Sequence, residues 1–126
     1  MGIESLDHVQ LAMPRGREDE ARVFYAGALG MTEIEKPEPL RAAGGCWFGA
    51  GSVRLHLGVE DSFRPARKAH PALRVRDLDE SCARLATHGV EVRPDARLPG
   101  IRRVYVDDCF GNRIELIQSG DPDMHA

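Results

Sequence analysis

The chain has 126 residues and a mass of 13.9 kDa, and 42% of it is hydrophobic, enough for one domain with a real core. Seventeen Lys and Arg against twenty Asp and Glu give a net charge of −3, which argues against bulk attraction to nucleic acid or to an anionic membrane. No apolar run approaches the roughly 18 residues of a membrane span.

Residues 1–7 lack the basic and apolar regions of a secretory signal. Cys46, Cys82 and Cys109 form an odd set without C-x-x-C spacing, which suits a reducing compartment better than a disulfide framework or a cysteine zinc site. The expectation is a soluble cytoplasmic protein without a nucleic-acid or membrane partner.

In chain order, Leu6 to Met13 alternates as a strand does and ends at Pro14. Val9, Leu11 and Met13 share one face; His8, Gln10 and Ala12 share the other. Glu18-Asp19-Glu20 then opens a helix through Leu29, with Gly30 at C′ and Val23, Phe24 and Ala28 as its buried stripe. Met31 to Glu35 predicts a short strand and Arg41 to Phe48 another, weakened by Gly44-Gly45. Val53 to Leu57 is a clean period-two strand. The loop from Gly58 to Lys68 is locally basic.

The second half opens with a strand at His70 to Val75, and Asp77 caps a helix over Leu78 to His88 that stops at Gly89. Strands are expected at Val90–Val92, Arg102–Val106 and Asn112–Ile117. In the turn before the last of these, Gly111 and Asn112 read as left-handed positions. The tail 119–126 has little to bury and reads as loose.

Laid over each other, the halves match. His8 falls on His70, Leu11 on Leu73, Gly30 on Gly89, and Arg54-Leu55-His56-Leu57 on Arg113-Ile114-Glu115-Leu116, with offsets of 62 and then 59 residues. Each half reads strand–helix–strand–strand–strand, and the repeat sets a metal-competent side chain at two equivalent positions: His8 and His56, then His70 and Glu115. Strand parity puts all four opposite the apolar faces that pack on helices. Three imidazoles and one carboxylate on the concave side of the sheets suit Fe, Mn, Ni, Co or Zn as a divalent ion.

The sequence resembles the vicinal oxygen chelate superfamily, the group of glyoxalases, bleomycin-resistance proteins and extradiol dioxygenases. The likeness spans about residues 3 to 118. It rests on Leu6-Asp7-His8-Val9, on Phe24-Tyr25 with Leu29-Gly30-Met31, on His70, and on Asp107 through Leu116, where Cys109 replaces a usual proline. The resemblance implies an α+β, glyoxalase-like fold of two pseudo-symmetric βαβββ modules forming an open, curled mixed sheet. Within one domain, 1–126, module one covers about 3–58, a linker 59–69 and module two 70–118. It also implies metal ligation by His8, His70 and Glu115, with His56 at the fourth ligand position, where glyoxalases and epimerases carry a glutamate or glutamine. Relatives of this length usually form homodimers.

Several residues keep more than one reading. His56 is either a fourth ligand, a supporting hydrogen-bond donor or a catalytic base. Arg64, Arg67 and Lys68 are either a solvated loop or the binding site for an anionic small-molecule substrate, and Trp47 either packs or walls the substrate pocket. The leading functional expectation is a glyoxalase-type metalloenzyme doing lyase or isomerase chemistry on a substrate that chelates the metal through two oxygens. An extradiol-type Fe(II) dioxygenase and a non-catalytic drug- or metabolite-binding resistance protein are the alternatives.

Overall fold

A computed structural model of the protein describes residues 1–125. The elements run β1 (Val9–Met13), α1 (Glu18–Arg22), a π-helical segment (Val23–Ala28), β2 (Thr32–Ile34), a 3₁₀ segment (Glu38–Ala43), β3 (Cys46–Ala50) and β4 (Val53–Val59). They continue with β5 (Ala72–Val75), α2 (Leu78–Thr87), β6 (Arg93–Asp95), β7 (Arg103–Asp107) and β8 (Arg113–Gln118). The chain divides into two compact units, Met1–Arg64 and the residues from Pro65 onward.

Each unit holds one four-stranded mixed sheet, ordered β1-β4-β3-β2 in the first and β5-β8-β7-β6 in the second. In both, the first strand pairs parallel with the last and the remaining pairs are antiparallel. The fold is α+β with two βαβββ modules, and neither sheet closes on itself. Among the described residues no helix is long and apolar enough to cross a membrane.

The repeat holds at the level of single residue pairs. Gln10 lies opposite His56 in the first sheet and Ala72 opposite Glu115 in the second, the partners related by the offsets of 62 and 59 residues seen in the sequence. Alternation does the rest: Leu11, Met13, Leu55, Leu57 and Phe48 are buried on one face of the first sheet. Tyr25 stacks on Phe48 with ring centroids 5.3 Å apart. In the second module Leu78 and Leu85 of α2 are buried, as are Val104, Val106, Ile114 and Leu116. Asp77 caps α2 by accepting the Glu80 N–H at 3.0 Å, as its sequence position predicts.

Five local expectations are corrected. The first helix changes to π-helical winding at Val23, where Leu29 N–H donates to Phe24 O, five residues back. The wider turn lets the consecutive Phe24 and Tyr25 both face inward with Ala21 and Ala28, and Val23 is left exposed instead of buried. The stretch 41–48 is not one strand: a 3₁₀ turn ends at Ala43, and Gly45 (φ 86°) passes so near β4 that a Cβ would lie 2.1 Å from the Leu57 carbonyl oxygen. The strand expected at 90–92 lies at Arg93–Asp95, because pairing with β7 begins only where Arg93 meets Tyr105.

Asn112, finally, is not left-handed; only Gly111 in that turn has positive φ. Asn112 is fully buried, donates its Nδ2 to Asp108 Oδ2 at 3.0 Å and accepts the Ala66 N–H on Oδ1 at 2.9 Å. It thereby ties the approach to His70 onto the β7–β8 turn. The tail is anchored rather than loose where Ser119 N–H meets Val75 O at 2.7 Å and Asp121 accepts the Arg102 N–H at 2.6 Å; Ala126 lies outside the described residues. Asn112→Ala leaves the half-buried Ala66 donor without its partner and removes the bond to Asp108. An expected loss of about 2–3 kcal/mol follows, to be read from urea unfolding.

Candidate metal centre

In module one, Gln10, His56 and Trp47 form a row across β1, β4 and β3 on the face opposite the leucines. Trp47 lies flat on His56, with centroids 3.8 Å apart and planes 3° from parallel. His8, just before β1, covers the other side of His56 at 4.1 Å and 17°. Asp7 Oδ2 in turn meets His8 Nδ1 at 2.9 Å. His56 is buried, with 8% of its surface exposed, between two aromatic faces.

Burial pushes the His56 pKa below the ordinary histidine value; the neighbouring His8 and Lys36 act in the same sense and Asp7 against it. His56 therefore stays neutral near pH 7. An imidazole lone pair lies in the ring plane, and two nearly parallel planes stacked at 4.1 Å share no in-plane point within bonding distance. In this arrangement His8 and His56 do not both aim at one cation.

Module two brings His70 and Glu115 together. His70 Nε2 lies 2.9 Å from Glu115 Oε1, and His70 Nδ1 lies 2.7 Å from the Lys68 carbonyl oxygen. A carbonyl only accepts, so the proton belongs on Nδ1. With Nδ1 donating, Nε2 faces a carboxylate oxygen, a contact satisfied by a cation between or beside the two atoms, whether a second ring proton or a metal. The 2.9 Å separation is close to the roughly 3 Å between neighbouring ligands on an ion with bonds of about 2.1 Å. An imidazole oriented by a backbone carbonyl and a buried carboxylate fit a first-row divalent ion.

The rest of this face was not singled out from the sequence. Tyr105 lies opposite Glu115 and packs edge-on against His70 at 5.4 Å. Arg103 Nη1 donates to Glu115 Oε2 at 3.1 Å and Arg103 Nη2 lies 3.4 Å from Asp95 Oδ1. The Arg113 guanidinium sits over the Tyr105 ring, 5.2 Å from its centroid. The signal that could have found them is the hairpin register: pairing outward from the 108–112 turn sets Tyr105 opposite Glu115.

Among the described residues no three His, Cys, Asp or Glu side chains gather into one cluster. Each module by itself supplies a pair. Arg64, Arg67 and Lys68 are exposed, and Lys68 meets His70 through its carbonyl rather than its amine. Trp47 is half-buried on His56.

A family model described as the Glyoxalase/Bleomycin resistance protein/Dioxygenase superfamily matches residues 5–116. The chain belongs to this superfamily. Among solved structures it is similar to a protein assigned to the glyoxalase family from Bacillus anthracis, at 49% identity and TM-score 0.90, covering 94% of this chain and 97% of that one. A mutant of the fosfomycin resistance protein FosX from Listeria monocytogenes, complexed with Mn(II) and 1S,2S-dihydroxypropylphosphonic acid, shares the fold at 21% identity and TM-score 0.70, covering 92% and 90%. An antibiotic binding protein from a Streptomyces species is similar at 25% identity and TM-score 0.71, covering 94% and 98%. No functionally curated protein matches the chain.

The depressed His56 pKa has a sign that can be checked. Above about pH 6.5, the ordinary histidine value, both folded and unfolded chains hold this group neutral and it adds no pH dependence. As pH falls below that value the unfolded chain takes the proton first, so folding stability drops until the folded pKa is passed. The metal-free protein should show a His56 ring titrating below the ordinary histidine value by NMR, and His56→Gln should lose less melting temperature between pH 7.5 and 5 than the wild type.

Proposed function

We propose that the chain is a divalent-metal-dependent enzyme acting on a small substrate that presents two neighbouring oxygen donors. Its protein ligands are His70, Glu115 and His8, the last from the same chain or from a second copy in a homodimer. The observation that carries this reading is the His70–Glu115 contact, with Nδ1 committed to the Lys68 carbonyl and Nε2 facing a buried carboxylate oxygen at 2.9 Å. A superfamily relative complexed with Mn(II) and a vicinal dihydroxy phosphonic acid supports it. When bound, the cation supplies Lewis acidity towards negative charge developing on substrate oxygen.

The chain's own residues divide the remaining work. His56, neutral and held between Trp47 and His8, is the group suited to take a proton from substrate, which favours lyase or isomerase chemistry over its use as a fourth ligand. Trp47 fixes the plane of that base. Arg64, Arg67 and Lys68 serve an anionic substrate group as it arrives.

With His56 outside the ligand set, two histidines and one carboxylate remain, a combination that also suits oxygen activation on Fe(II). Oxygen uptake with catechols after anaerobic Fe(II) loading separates that reading from proton transfer. Metal analysis of untagged protein tests the site itself. We expect near-stoichiometric divalent metal in the wild type and at least about a tenfold loss in His70→Ala and in Glu115→Ala. Full retention in both variants refutes the ligand set, and a metal-free protein stabilised by an apolar ligand marks a binding protein instead.

A further inference from the structure

Resting on the reading that His70 and Glu115 hold the cation, we propose that Arg103, braced by Asp95, is a positioning residue that makes Glu115 a one-oxygen ligand and so sets which metal the site accepts. The Glu115 carboxylate has its two oxygens assigned to different neighbours: Oε1 lies 2.9 Å from His70 Nε2, and Oε2 accepts Arg103 Nη1 at 3.1 Å. Arg103 is itself pinned from the other side, its Nη2 3.4 Å from Asp95 Oδ1, the residue it faces across β6 and β7. Asp95 is in turn held by the Arg97 guanidinium and by the Arg97 N–H at 2.9 Å.

The three side chains in this row are closed off from solvent, with 10% of Asp95, 11% of Arg103 and 6% of Glu115 exposed. Arg103 Nε is buried without a hydrogen-bond partner in the described structure. A guanidinium free to choose its position would satisfy that donor in water. Two carboxylates on opposite sides hold it where it is. Asp95, which Arg103 shares with Arg97, offsets part of the Arg103 charge, so Arg103 restrains Oε2 at a reduced electrostatic cost to an incoming cation.

Denticity carries the consequence. Calcium takes six to eight oxygens and commonly both oxygens of a carboxylate, whereas first-row transition ions on imidazole and carboxylate sites use fewer, tighter bonds. With Oε2 tied to Arg103, Glu115 offers Oε1 alone beside an imidazole. That arrangement favours Mn(II) and its neighbours over Ca(II).

Isothermal titration with Mn(II) and with Ca(II), on wild type, Arg103→Met, Arg103→Lys and Asp95→Asn, tests the assignment. The wild type should prefer Mn(II); Arg103→Met should narrow the Mn/Ca affinity ratio by at least about tenfold. Arg103→Lys, which keeps a donor for Oε2, should restore much of it, and Asp95→Asn should narrow the ratio by less than Arg103→Met does. A merely structural role weakens both ions alike and leaves the ratio unchanged, which overturns the inference while the metal reading stands. If Arg103→Met does not fold, by circular dichroism, the Asp95→Asn ratio decides in the same way. A wild type that binds neither ion overturns the metal reading and this inference together.

Discussion

The pairing register between the first and last strand of each module is the constraint on which the site depends. Side chains alternate with a period of two, so a slip of one residue between β4 and its neighbours would send His56 towards the helices and Leu55 and Leu57 to the opposite face. The same slip in β8 would exchange Glu115 for Ile114 and Leu116. Burial of the leucines and isoleucines therefore fixes where the polar groups emerge. The chemistry of the face is a by-product of the packing behind it.

The two modules spend equivalent positions differently. His8 and His70 stand at matching places before their strands, and His56 and Glu115 at matching places on the last ones. In the first module the pair is a ring stack capped by a tryptophan; in the second it is an imidazole against a carboxylate, with an arginine behind. One module contributes rigidity and a neutral imidazole, the other a charged and oriented donor pair. An internal repeat thus need not yield two copies of one function.

Much of this was legible in the sequence because it follows from alternation and from the repeat. His56 and Glu115 could each be placed opposite the apolar side of its own sheet without coordinates, and the offsets that align the halves reappear as strand partners. The π-helical turn was not legible, since hydrogen bonds to the fifth residue back leave no periodic signature in six residues. Nor was the role of Asn112, whose side chain reaches Ala66, 46 residues away in sequence. The Asp95–Arg103–Glu115 row was hidden for a similar reason: it is assembled across three strands, one of them only three residues long. Charged residues on short edge strands read as solvated until their neighbours are known.

Every ladder of backbone hydrogen bonds in the two sheets lies within one half of the chain, and the passage between them includes Ser62 in the left-handed region at φ 56°. A half-length polypeptide thus already encodes a complete sheet with its covering helix. Severing the connection near Ser62 breaks no strand, which makes the protein a candidate for reconstitution from two separately expressed fragments.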